Sequence, residues 1–192
     1  MRPFLSLDTD RLLLRDLGEA DFAVVHRYAS DPEVVGFAHL GPNSEEDTRE
    51  FLRVAMAAER EQPRKVFYFA VVLESEGRLI GDCRISVSAE RDYEASIGCV
   101  LARDSRRRGF ATEVMSALLR FGFQQLGLRR IVATCDPCNT ASWRVMEKNG
   151  MRREGHLRED RRQKGEWRDS LLYAILEPEW KASRAGSPRP RA

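Results

Sequence analysis

The chain has 192 residues, 42% apolar and 32% charged, which suits one sizeable hydrophobic core and argues against a string of small domains. Lysine plus arginine (32) nearly balance aspartate plus glutamate (30), so a net charge of +2 excludes a global pull on nucleic acid or membrane, and any anion site is local. The longest uncharged apolar run, VFYFAVVL (66–73), is too short to span a bilayer and Met1-Arg2-Pro3 opens no signal-peptide pattern, so a soluble, cytoplasmic protein is expected.

In chain order, RLLLR (11–15) reads as a first strand. From Glu19 the apolar positions Ala20, Val24 and Tyr28 fall on one side of a helix that Asp31-Pro32 stops. NSEEDTREFLRVAMAAER (43–60) opens with a capping residue and an acidic first turn, then spaces Phe51, Leu52, Ala55 and Met56 as a second helix. Val66 to Leu73, Leu79 to Val87 and Tyr93 to Leu101 are apolar, β-branched runs that predict an antiparallel meander, with ESEG as its first turn. Over 110–126 the residues Val114, Met115, Leu118, Leu119, Gly122 and Leu126 recur every three or four positions, and Gly127 stands where a C-terminal cap belongs.

RRIVATC (129–135) then reads as a strand and NTASWRVMEKN (139–149) as a short helix closed by Gly150. Met151 to Leu157 and Trp167 to Leu176 are two last strands around QKGE. Strand, glycine turn, long helix and strand make a right-handed crossover inside an otherwise antiparallel sheet. One α/β (α+β) domain over 8–181 is expected, followed by a disordered basic tail over 182–192, where SRAGSPRPRA carries almost nothing to bury. Cys83, Cys99 and Cys135 lie in apolar runs and read as small core residues; Cys135 and Cys138 form a C-x-x-C pair with no second pair nearby, so no metal is expected. His26, His39 and His156 have no ligand spacing between them.

DSRRRGFATEV (104–114) carries the chemistry. A strand that turns tightly into a helix presents backbone N–H groups without partners and a partial positive charge, a ready pocket for phosphate. Gly109 allows close approach, Ala111 keeps the first turn open, Thr112 adds a hydroxyl, and Arg106, Arg107 and Arg108 add charge. Neither the Walker nor the Rossmann glycine spacing is present. Taken alone, the arginines read equally well as a solvated run with Gly109 ending a strand.

Arg106-x-x-Gly109-x-Ala111 resembles the signature by which the GNAT superfamily of acyl-CoA-dependent N-acetyltransferases holds the CoA pyrophosphate. SIGCVL before it, GFATEV opening the helix, NTASWRVMEKNGM after the next strand, and EGHLRED with KGEWRDSLLYAILEPEW near the end are similar to its ribosomal-protein N-terminal acetyltransferase branch, over about residues 8–180. The resemblance implies a twisted, mostly antiparallel sheet of about seven strands with about four helices and splayed central strands. Backbone groups of Cys99, Val100 and Leu101 would pair with the pantetheine arm. Those of Arg107, Arg108, Gly109, Phe110, Ala111 and Thr112 would hold the pyrophosphate, Asn139 would bond the CoA arm, and Ser142 would lie near the sulfur.

The implied reaction is direct attack of a primary amine, on a protein N-terminus or a small molecule, on acetyl-CoA as co-substrate. Ser142 is the candidate proton donor to the thiolate, because Met146 stands where many relatives have tyrosine, and Glu159 is the candidate base. Many members of the branch also have Trp-Gly where this chain has Arg106-Arg107. The rival reading is a non-catalytic acyl-CoA-binding or RNA- and ribosome-binding module built on Arg106–Arg108, Arg129-Arg130, Arg152-Arg153 and Arg161-Arg162. Nucleic acid is disfavoured because no aromatic residues interleave those arginines. A homodimer is left open and a membrane is not expected.

Overall fold

The alternation in LLLRD buries Leu12, Leu14 and Asp16, and this segment is an inner strand of one mixed sheet in the computed structural model, which describes residues 5–38, 41–91 and 93–185. The strands are β1 (Ser6–Asp8), β2 (Leu12–Asp16), β3 (Val66–Leu73), β4 (Arg78–Val87), β5 (Glu94–Leu101), β6 (Arg130–Cys135), β7 (Arg152–Gln163) and β8 (Glu166–Leu176). The helices are α1 (Phe22–Ala29), α2 (Glu45–Arg60), α3 (Phe110–Gln124), α4 (Thr140–Lys148) and α5 (Glu177–Ala185). The sheet order is β1-β2-β3-β4-β5-β6-β8-β7, antiparallel everywhere except between β5 and β6.

The two sheet faces have separate cores. Leu12, Leu14, Phe69, Ile80 and Ile85 pack with Val114, Leu118 and Leu119 of α3. On the other face Ala70, Val72 and Leu79 pack with Val25 and Tyr28 of α1 and Leu52 and Ala55 of α2. Ser44 caps α2, accepting from the Asp47 N–H while the Asp47 carboxylate accepts from Ser44 N–H, a reciprocal box contributing about 1 kcal/mol. Gly122 lets α3 lie close on the sheet, since a Cβ there would stand 2.6 Å from Ile131 Cδ1.

The parallel pairing is short. β5 meets β6 only at Glu94–Arg130, Ala95–Ile131 and Ser96–Val132, and beyond these the strands part. The bonds Ser88 N–H to Glu94 O and Ala102 N–H to Ile80 O fix the alternation: even-numbered residues of β5 turn their main-chain groups to β4, odd-numbered ones to the gap. The antiparallel pairing of β4 and β5 meanwhile continues unbroken to Gly81–Leu101.

The expected GNAT-type α/β fold is present, with eight strands and five helices in place of about seven and about four. The additions are β1, three residues long, and α5. The expected strand 151–157 extends to Gln163, because β7 is a polar edge strand whose RREGHLREDRRQ shows no apolar alternation. The expected tail, 182–192, begins inside α5, and 186–192 lie outside the described residues, as does His39.

Candidate active site

The widening gap between β5 and β6 ends at the turn into α3. A single helical turn, Arg103–Ser105, leads out of β5, and then Arg107 (φ 59°) and Gly109 (φ 83°) both take left-handed backbone. Gly109 is the residue before α3 and provides no side-chain cap. Among the described residues, the backbone N–H groups from Arg107 to Thr112 donate to no acceptor; the first bond of the helix is Glu113 N–H to Gly109 O, 3.1 Å. Such a run of unpartnered amides, with a helix N-terminus behind it, is an anion cradle.

A lock outside the motif holds this turn. Glu113 Oε1 accepts from Thr9 Oγ1 (2.6 Å) and the Arg11 N–H (2.9 Å), and its Oε2 meets Arg11 Nη2 at 2.6 Å. Arg11 Nη1 also donates to the Arg108 carbonyl at 3.1 Å, and the Arg11 and Arg108 guanidinium groups each stack on the Phe110 ring. Burial pushes the Glu113 carboxyl up, but the bonds from Thr9 and Arg11 outweigh it and hold the group below its ordinary value. Arg11 thus adds a cation beside Gly109, a role hidden in a segment that reads only as a strand.

The three arginines of the motif do different things. Arg106 is an exposed brace: Nη1 and Nη2 donate to the carbonyls of Glu33 and Val34 at 3.2 and 3.0 Å, and Nε to that of Leu101 at 3.4 Å. It ties the loop after α1 to the end of β5. Arg107 and Arg108 are exposed, and neither guanidinium makes an ion pair among the described residues.

Cys99 and Leu101 direct main-chain groups into the gap, while Val100, included with them from the sequence, pairs with Asp82 on β4. Gly98 leaves the neighbouring space open: a Cβ there would meet no atom within 4 Å. Across the gap, Asn139 caps α4, its Oδ1 accepting from the Ser142 N–H at 3.1 Å. The Ser142 hydroxyl lies near the Cys135 thiol, which burial raises, with the serine pulling the other way. Met146 is buried in the core.

Glu159 sits apart, exposed, at φ 49° in an irregular stretch of the outermost strand, its N–H donating to Asp169 Oδ1 at 2.9 Å. His156 Nε2 stands 2.6 Å from the same Asp169. The β7–β8 tip reaches the loop after α1: Gln163 Nε2 donates to Ala38 O at 2.5 Å and Lys164 Nζ to Val35 O at 3.1 Å. His26 bonds Thr48 at 3.0 Å, away from this region. Among the described residues no cluster of His, Cys, Asp or Glu could hold a metal ion, and no helix is long and apolar enough to cross a membrane.

Comparison with known proteins gives a consistent picture. Residues 11–152 match the family described as Acetyltransferase (GNAT) domain. An uncharacterized N-acetyltransferase of Bacillus subtilis (strain 168), YnaD, is 37% identical over 92% of this chain and 99% of its own. The ribosomal-protein-uS5-alanine N-acetyltransferase of Escherichia coli (strain K12) is 25% identical over 95% of this chain and 96% of its own. Among solved structures, a GNAT-family acetyltransferase from Bacillus anthracis superposes with TM-score 0.80 at 37% identity, over 91% of this chain and 99% of that one. Spermidine N-acetyltransferase from Vibrio cholerae, in complex with CoA and spermine, shares the fold at TM-score 0.77 and 21% identity, over 90% of this chain and 99% of that one.

Proposed function

This chain belongs to the GNAT acetyltransferase family and is an acetyltransferase, and from that premise we propose that it moves the acetyl group of acetyl-CoA to a primary amine by direct attack on the thioester. The observation that carries this reading is the run of unpartnered N–H groups from Arg107 to Thr112, a cradle suited to a pyrophosphate. Arg108 and Arg11 add positive charge beside it. Cys99 and Leu101 would pair strand-fashion with the amides of the pantetheine arm, which takes the place β6 vacates, with Val100 contributing its side chain. Asn139 keeps its amide nitrogen for the same arm while its oxygen caps α4.

Thiolate departure, at a thiol pKa of about 8.5, gains from a proton donor, and Ser142 is the candidate. Met146 puts a buried thioether where a phenol would otherwise serve. The acceptor is a protein N-terminus or a small amine; the Escherichia coli relative, which acts on a ribosomal-protein alanine, makes alanine-initiated peptides the first to try. A cytoplasmic location belongs to this reading. An RNA-binding role is disfavoured because Arg129, Arg130 and Arg152 are engaged by Glu177, Glu94, Glu154 and Glu179.

The test is release of free thiol from acetyl-CoA in the presence of Ala- and Ser-initiated peptides, polyamines, amino acids and aminoglycosides. Turnover with at least one is expected. Replacing Arg108→Glu together with Gly109→Trp should weaken acetyl-CoA binding about tenfold or more in calorimetry, a change of about 1.4 kcal/mol. Unchanged affinity would remove the pyrophosphate assignment.

A further inference from the structure

Asp82 stands out among the carboxylates of the sheet. Asp16 and Asp21, both buried, are each met by an arginine at 2.7 Å, from Arg64 and Arg15 respectively. Asp82, half-buried in the middle of β4, has no such cation: among the described residues its hydrogen bond is with a neutral hydroxyl, Tyr28 Oη to Oδ2 at 2.6 Å. Its Oδ1 accepts no bond among those residues. A carboxylate kept in a central strand without an ion pair costs stability, which marks it as a functional candidate.

Its surroundings supply the function. Asp82 lies opposite Val100, and Arg84 lies opposite Gly98, so the carboxylate is the diagonal neighbour of Gly98 across the β4–β5 ladder. Gly98 is the residue over which space is open, and it sits between Ile97 and Cys99, at the edge where β5 has parted from β6. The loop after α1, pinned by Arg106, Gln163 and Lys164, borders this same face. An amine entering over Gly98 would meet the thioester in the gap and a carboxylate beside it.

We infer, on the acetyl-transfer reading, that Asp82 is the general base that takes the proton from the acceptor amine. The amine nitrogen bonds the acetyl carbon and the carbon–sulfur bond breaks. Sulfur leaves as thiolate and is protonated by water, directly or through the Ser142 hydroxyl, which regains its proton from that water, while the proton of the nitrogen passes to Asp82, directly or through one water, and on to solvent. Glu159, the base expected from the sequence, is exposed on the outermost strand.

The groups facing Asp82 are Tyr28 from α1 and Arg84 on its own strand; Cys83 and its cross-strand partner Cys99 lie on the opposite face, β5 offers Val100 and β3 Ala70, and beyond Tyr28 lies the Asp21–Arg15 pair. Burial raises the Asp82 carboxyl to about 6, with the Tyr28 bond and the Arg84 charge pulling the other way. It is therefore ionised, and basic enough to accept a proton, near neutrality.

The experiment measures kcat against pH at saturating acetyl-CoA, with the fastest acceptor from the thiol-release panel at saturation. Asp82→Asn should lower kcat about 100-fold and abolish the acid limb near pH 6, with acetyl-CoA affinity and melting temperature little changed. Tyr28→Phe removes a bond that favours the charged carboxylate, so its acid limb should move to higher pH with activity kept at pH 8, which a structural role would not produce. Wild-type kcat and limb in Asp82→Asn, or loss of the limb in Glu159→Gln instead, overturns the assignment. An absence of thiol release by the wild type with every acceptor overturns the transferase reading itself, and this inference with it.

Discussion

Arg107 occupies left-handed backbone at φ 59°, where a Cβ crowds the carbonyl that follows and costs about 1 kcal/mol. The branch this chain resembles often has glycine here, and the geometry explains that preference: the turn needs a positive φ whichever residue fills it. Arg107→Gly should raise stability by about 0.5–1 kcal/mol in urea denaturation, the relief of strain being partly offset by the freedom glycine adds to the unfolded chain. Acetyl-CoA affinity should change little, because the N–H is retained. The tight turn at Gly109 ahead of α3 was readable from local spacing, since it is set by the backbone there; the cap that Asn139 places on α4 is a finding of the structure. Arg106 as a brace and Arg11 as a loop cation were not, because their partners are 72 and 97 residues away in sequence.

Among the elements, the strongly periodic ones could be read almost to their ends: Val66–Leu73 has the same bounds in sequence and structure, and α3 stops at Gln124, short of 126. Periodicity reports burial of one face, and these segments have one. β7 lies at the edge with nearly every residue exposed, so no apolar rhythm announces its length. The order of the strands could not be read from local pattern, as pairing depends on contacts between distant segments; the family resemblance implied only a mostly antiparallel sheet with splayed central strands. One element-level requirement is severe: a Cβ on Gly81 would stand 2.1 Å from the Val100 carbonyl oxygen, opposite an irregularity at Val71/Val72 in β3. Gly81→Ala should cost about 3 kcal/mol or prevent folding, measured by thermal melting, and surviving protein should bind acetyl-CoA weakly because the end of β5 has moved.

For the molecule as a whole, the bonds of Glu113 join the β1–β2 corner to the start of α3, and Asp21 with Arg15 joins the end of β2 to the start of α1. Burial raises both carboxyls, yet bonding from Arg11 with Thr9, and from Arg15 with the Gly18 N–H, leaves each below its ordinary value. The sign follows: a depressed folded-state pKa stabilises above the ordinary carboxyl range of about 4 and loses that contribution as pH falls through the folded value. The contribution of these two groups to the urea midpoint should therefore hold between pH 5 and 7 and drop below about pH 4, while the raised Asp82 carboxyl acts the opposite way, costing stability as pH rises from about 4 to 6. Glu113→Gln should lose about 1 kcal/mol at pH 7, a figure moderated by the exposure of Arg11, and show a shallower acid drop.

The parting of β5 from β6 also affects how freely this sequence can change. Where recognition is entrusted to main-chain amides, as proposed for Cys99 and Leu101, the side chains at those positions are released from recognising the ligand and can drift under packing constraints alone. The constraint is displaced to residues that never touch the co-substrate, above all Gly81, whose missing side chain keeps the neighbouring strand in place. Relatives of this chain can therefore differ most along the strand that would handle the ligand, and least at a silent glycine beside it.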